Sequence, residues 1–255
     1  MEYKDIIFEK KDGYAIITFN RPKELNPLNA NMKKELSEAL TAVEEDSDIG
    51  GVIIAGAGRA FMAGTDLNEI DTARTAADTV EMSVHGQELM NKIERLKKPV
   101  IAAIHGYALG GGAELALACD LRVASWDAVF GMPEADLGVA PCYGGTQRLA
   151  RLCGAGAAKD LLLTARQVPA DECLRMGIFN RVVEKRAEVQ EAEKVMKQII
   201  RNGPEALTVC KRLVDEGLDM SFEEGLKLEA DLNGYLAETD FAKAKVAEFQ
   251  NRHKH

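Results

Sequence analysis

A chain of 255 residues, 46% hydrophobic and 29% charged, is long enough for one large or two modest domains with a real core. That excludes a disulfide miniprotein, a disordered polymer and a collagen-like repeat. The formal charge of -9, from 41 acidic against 32 basic side chains, and an aromatic content of 5% argue against a protein that tracks and stacks on a nucleic acid, while leaving room for an anionic small ligand held by a few local cations.

Tyr14 to Phe19 opens with an apolar, β-branched run that suits a strand, and Asn20-Arg21-Pro22 ends it because proline offers no ladder donor. From Asn29, a plausible N-cap, Met32, Leu36, Ala39, Leu40 and Val43 recur at helical spacing opposite Lys33, Lys34, Glu38 and Glu45. Val52-Ile53-Ile54-Ala55 is an apolar run of strand length, and the small-residue turn Ala63-Gly64-Thr65-Asp66 follows it. The polar, alanine-rich stretch from Asp71 to Thr79 is expected to be a mobile connection, and Leu89, Ile93 and Leu96 mark an amphipathic helix after it. The connection from Asp71 to Met90 is expected to help line the ligand pocket.

Val100-Ile101-Ala102-Ala103-Ile104 repeats the buried-strand pattern, then runs through His105-Gly106 into Gly110-Gly111-Gly112 and the helix-like Ala113 to Cys119. Its apolar length invites comparison with a membrane span, but the glycines and Glu114 make it a strand, a tight loop and a helix. Strand, glycine turn and helix occurring twice suggests a repeated ββα unit whose loops gather at one end. Leu121 to Ala124 and Ala128 to Gly131 read as short strands, followed by a loop from Met132 to Gly145. Gly203-Pro204 breaks a helical pattern that starts near Glu188, placing a boundary near residue 200 between a core, 1–200, and a helical region, 201–255. In that region Leu213, Leu218, Phe222, Leu226, Leu228, Leu232, Leu236, Phe241, Val246 and Phe249 offer more apolar surface than lone helices can hide. Packing on another subunit or back on the core is expected.

The five cysteines, Cys119, Cys142, Cys153, Cys173 and Cys210, form no C-x-x-C pair and fit buried or free thiols in a reducing compartment; none is read as a metal ligand. With no secretory or retention signal legible, the cytoplasm is the expected location and no membrane partner is expected.

Three elements could carry chemistry. Gly110-Gly111-Gly112 at a helix start either serves tight strand-to-helix packing or frees backbone N–H groups for an oxyanion, with the helix dipole in support. The turn from Ala60 to Asp66 offers a second exposed backbone, so one donor from each turn would make a two-donor oxyanion hole. Glu114 and Glu134, both among apolar residues, form a candidate acid/base pair that burial can tune toward neutral pKa.

The order Arg21-Pro22…Leu25-Asn26, Ala60-Phe61-x-Ala63-Gly64-x-Asp66-Leu67, Lys98-Pro99-Val100-Ile101-Ala102-Ala103, Gly106-Tyr107-Ala108-Leu109-Gly110-Gly111-Gly112-x-Glu114-Leu115, Cys119-Asp120, Phe130-Gly131-x-Pro133-Glu134 and Gly144-Gly145-Thr146-Gln147-Arg148-Leu149 resembles the crotonase superfamily, closest to its enoyl-CoA hydratases. The resemblance implies an α/β fold, a crotonase-like spiral of ββα units whose C-terminal helices build trimers or dimers of trimers. It implies an acyl thioester of coenzyme A as ligand and no separate cofactor. It puts the thioester oxygen on the backbone N–H groups of Ala63 and Gly111 and makes Glu114 and Glu134 catalytic, the first toward water and the second toward C2. It assigns Lys23, Glu24 and Leu25 to the coenzyme's nucleotide, with Ala60 and Asp66 near its adenine.

The sequence departs from that pattern at Met62, at Thr65, at Cys142-Tyr143 and at His105, where asparagine is usual. Met62 and Cys142 are therefore expected at the substrate pocket. No histidine is evident near Cys142 to make it a nucleophile. The resemblance is compatible with hydration, with double-bond isomerisation, for which one carboxylate suffices, and with a non-catalytic coenzyme-binding or RNA-associated scaffold; both glutamates being present favours the first.

Overall fold

A computed structural model describes residues 3–66 and 75–252. Strands β1 (Ile6–Lys10) and β2 (Ala15–Phe19) precede helix α1 (Ala30–Glu45) and β3 (Val52–Gly56). After α2 (Ala76–Glu94) come β4 (Val100–Ile104), β5 (Tyr107–Leu109), α3 (Gly111–Ala118), β6 (Leu121–Ser125) and β7 (Val129–Gly131). Then α4 (Gly145–Cys153), α5 (Ala155–Thr164), β8 (Val168–Pro169), α6 (Ala170–Arg175) and β9 (Arg181–Val183) lead to α7 (Glu188–Ile199). The chain ends in α8 (Pro204–Gly217), α9 (Phe222–Ala237) and α10 (Asp240–Arg252).

Six strands form one sheet in the order β1-β2-β3-β4-β6-β9, and β5, β7 and β8 form a second. Only β1 runs antiparallel in the larger sheet. Consecutive strands β4 and β5, then β6 and β7, divide between the two sheets, which is the ββα plan the glycine turns suggested.

The strands are apolar along their whole length because both faces of the parallel sheet are covered. Ile17, Ile54 and Ala102 stand in register on one face and join a core with Met32, Leu36 and Leu40 of α1. Ile16, Ile53 and Ile101 alternate onto the other face, where Ala192, Val195 and Met196 of α7 cover them.

The Asp71 to Thr79 connection is corrected in part. Residues 71–74 lie outside the described residues, but Thr75 caps α2, with Asp78 closing a capping box. The polar composition read as a connection is there a helix start, since Ser, Thr and Asp satisfy exposed first-turn N–H groups. The boundary near residue 200 coincides with the end of α7 and with Pro204 at the first turn of α8. Beyond it Phe222, Tyr235 and Phe249 are exposed on the chain's own surface.

Candidate active site

Two turns meet beside the second sheet. The Met62 N–H donates to the Tyr107 carbonyl at 3.0 Å, and the Leu109 N–H donates to the Met62 carbonyl at 3.0 Å, zipping the turn after β3 to strand β5. Gly112 lies against that zipper: a Cβ there would sit 2.2 Å from the Met62 oxygen, inside contact distance. Tight packing therefore explains Gly112, while Gly111 begins α3 with its N–H outside the helical ladder. The packing reading of the glycine run holds at Gly112, and Gly111 keeps an N–H free of the helical ladder.

The expected partner of Gly111 changes. The Ala63 N–H is committed to the Leu25 carbonyl at 3.0 Å and cannot serve an oxyanion without breaking that bond. Thr65 lies where the donor is needed, its nitrogen 3.5 Å from the point where a Cβ on Gly111 would stand, and among the described residues its N–H has no backbone acceptor. The two-residue slip arose because spacing fixes the turn but not which of its N–H groups points outward.

Asn26 holds this turn from behind. Buried and in the left-handed region at φ 57°, it donates through its side-chain amide to the carbonyls of Ala57 at 2.9 Å and Ala60 at 2.8 Å. Asparagine tolerates that backbone better than most residues. Asp66, expected near adenine, is buried and ion-paired with Arg21 at 2.9 Å, which ties the turn to the segment after β2. Lys23 is exposed on the short 3-10 helix Pro22–Glu24, next to Leu25. Ala60 is fully buried. Met62, expected at the substrate pocket, has no exposed surface and belongs to the main apolar cluster.

Glu114, on the first turn of α3, is buried, and its Oε1 accepts the N–H groups of Tyr143 at 2.8 Å and Gly145 at 2.9 Å. Burial pushes its carboxyl up to about 7 against those two donors, with the charge of Glu134 adding to the rise and Arg148 opposing it. Glu134 comes from the 3-10 helix Pro133–Leu137, and its Oε1 lies 3.1 Å from the Cβ point of Gly110. Burial raises its pKa as well, and its Oε2 is buried with no hydrogen-bond partner among the described residues. An ionised oxygen without a donor is costly to bury, so hydrogen bonding favours a charged Glu114 beside a neutral Glu134.

Arg148 was not singled out from the sequence. It grips Glu94 of α2 at 2.7 Å and 3.1 Å, bonds Asn91 at 2.8 Å, and reaches the Tyr143 carbonyl at 3.1 Å. The turn that holds Glu114 is thereby fastened to α2. Cys142 stands in the same turn, with its carbonyl accepting from Gln87 at 2.9 Å. Both glutamates and burial push its thiol up, which disfavours the thiolate a nucleophile needs.

The arrangement sets two backbone donors beside two carboxyls, both raised by burial and only one of them holding N–H donors. It can stabilise an oxyanion while moving protons on the neighbouring carbons. The family model for enoyl-CoA hydratase/isomerase matches residues 9–255. The short-chain-enoyl-CoA hydratase of Clostridium acetobutylicum is 39% identical over all of this chain and 97% of its own length. The crotonyl-CoA hydratase of Syntrophomonas wolfei is 40% identical, covering all of this chain and 98% of its own. A crystal structure of enoyl-CoA hydratase from Bacillus anthracis superposes with a TM-score of 0.93 at 33% identity, over 98% of this chain and 97% of that one. Matched from its first strand to its last helix by sequence and by fold, the chain belongs to the enoyl-CoA hydratase/isomerase family.

Proposed function

We propose that this chain adds water reversibly across the double bond of a 2-enoyl thioester of coenzyme A. The observation that carries the reading is the pairing of the Thr65 and Gly111 backbone donors beside the buried Glu114 and the half-buried Glu134. Attack of water at C3 moves electrons onto the thioester oxygen, and the two N–H groups receive that charge; each such donor is typically worth about 10²–10³ in rate. Glu114, held ionised by Tyr143 and Gly145, takes the proton of the attacking water. Glu134 gives its proton to C2, and one proton exchanged between the carboxyls restores the starting state. Dehydration runs the same steps backward.

The coenzyme is part of the substrate, so the reaction needs no resident cofactor. Lys23, Leu25, Ala60 and Asp66 border the segment assigned to its nucleotide. The exposed apolar residues of α8 to α10 support assembly into a trimer or a dimer of trimers. Among the described residues no helix is long and apolar enough to cross a membrane, which suits a cytoplasmic enzyme.

The test is Glu134→Gln, assayed by loss of enoyl-thioester absorbance with crotonyl-CoA and by coenzyme binding. The variant should bind coenzyme A as the wild type does and lose about 10²–10⁴ in turnover. Near-normal turnover would remove Glu134 from the chemistry.

A further inference from the structure

Tyr143 reaches three parts of the site at once. Its N–H holds Glu114, and its ring edge comes to 3.5 Å from the Cβ point of Gly111. Its ring shares the space beside Gly111 with the Thr65 hydroxyl, and its phenol stands 3.5 Å from the Lys33 ammonium, which also lies 5.4 Å from the ring centre. The side chain is almost wholly buried, at 1% exposure.

On its far side the ring presses on α2. A Cβ at Gly86 would fall 2.0 Å and 2.2 Å from two ring carbons, so only glycine admits the ring at that point of the helix. The helix face and the turn are thus fitted to each other around an aromatic side chain. Arg148 locks the same two elements together from the other end, through Glu94 and Asn91 to the Tyr143 carbonyl.

We infer that the Tyr143 ring closes the acyl pocket and limits the length of acyl chain this enzyme accepts. The inference rests on the proposed placement of the thioester. With the carbonyl oxygen on the Thr65 and Gly111 donors and C3 presented to Glu114, the acyl tail leaves C3 toward the residues that hold that carboxylate. The first of these is Tyr143, whose ring fills the space between Gly111 and Gly86. A short tail ends before the ring; a long one meets an aromatic wall that Gly86, Thr65 and Lys33 prevent from swinging aside.

Saturated acyl thioesters test this without any turnover. Calorimetric Kd values for butyryl-CoA and octanoyl-CoA would be measured on the full-length wild type, Tyr143→Ala and Tyr143→Phe. The wild type should bind butyryl-CoA more tightly. Tyr143→Ala should shift the ratio of the two constants by about tenfold or more toward octanoyl-CoA, the scale at which apolar pockets discriminate added methylenes. Tyr143→Phe, which keeps the ring and loses the hydroxyl, should keep the wild-type ratio. Should the alanine variant fail to fold, Tyr143→Leu should give a smaller shift in the same direction. An unchanged ratio in the folded truncated variant, an equal shift in Tyr143→Phe, or a wild type that prefers octanoyl-CoA would overturn the inference. Failure of the hydration reading would show separately, as absent turnover of enoyl thioesters.

Discussion

Glu114 is buried and Glu134 half-buried, and they differ further in what their oxygens touch. Two backbone N–H groups meet one carboxylate, and the other has an oxygen with no partner among the described residues. Hydration needs one proton on the pair, so the two titrate as a unit. Burial and the charge of one carboxylate on the other raise Glu114 to about 7, a titration that belongs to the pair; the shared proton rests on Glu134, the carboxyl without donors, until pH passes that value. The hydration kcat/KM should therefore fall as pH rises through about 7, and fall again in acid where both carboxyls are protonated; a profile flat across neutrality would contradict this coupling. The two carboxylates were legible in the sequence, as polar residues inside apolar segments. The oxyanion donor was legible only to within the turn, because Ala63 and Thr65 differ in where their N–H groups point and not in any property a sequence displays. Asn26, Arg148 and Tyr143 act through contacts with residues 31, 54 and 29 positions away, and no local pattern announces those partners.

Elements buried on both faces were the easiest to recognise. β2, β3 and β4 are nearly continuous runs of aliphatic residues, and α1 shows a clear apolar stripe beneath its Asn29 cap. β1, β8 and β9 are not legible for a physical reason: all three are edge strands, β8 and β9 are only two and three residues long, and β1 turns its polar residues to solvent. The Met62 to Leu109 zipper joins the two elements that supply the backbone donors, so its integrity governs both stability and chemistry. Gly112→Ala forces a methyl group against the Met62 carbonyl. The substitution should destabilise the fold by about 1–3 kcal/mol in chemical denaturation and depress turnover beyond that loss, because the donors separate. A variant as stable and as active as the wild type would show that the turns do not need this contact.

The chain as a whole is a six-stranded, largely parallel sheet covered on both faces, with a smaller three-stranded sheet beside it and a helical extension whose Lys211 pairs with Asp120 after α3. In that extension Phe222 is 77% exposed and Leu226 49%, a degree of apolar exposure that favours burial against another copy. Phe222→Asp combined with Leu226→Glu should lower the mass seen by analytical ultracentrifugation to that of a smaller assembly, while leaving the circular dichroism of the folded core in place. An unchanged sedimentation profile would place the subunit contact elsewhere. The resemblance carried by the glycine run, the Ala60 to Asp66 turn and the Pro133-Glu134 segment foresaw the spiral fold, since those residues sit where backbones must approach closely.

The central claim is that water itself is added to the thioester. It is tested most directly by incubating the purified chain with crotonyl-CoA in heavy-oxygen water and weighing the product. Hydration predicts loss of the enoyl-thioester absorbance together with a 3-hydroxy product that carries one solvent oxygen at C3, and neither change in Glu134→Gln. Loss of absorbance with no oxygen gained, or intact crotonyl-CoA bound to a folded wild-type protein, would contradict it.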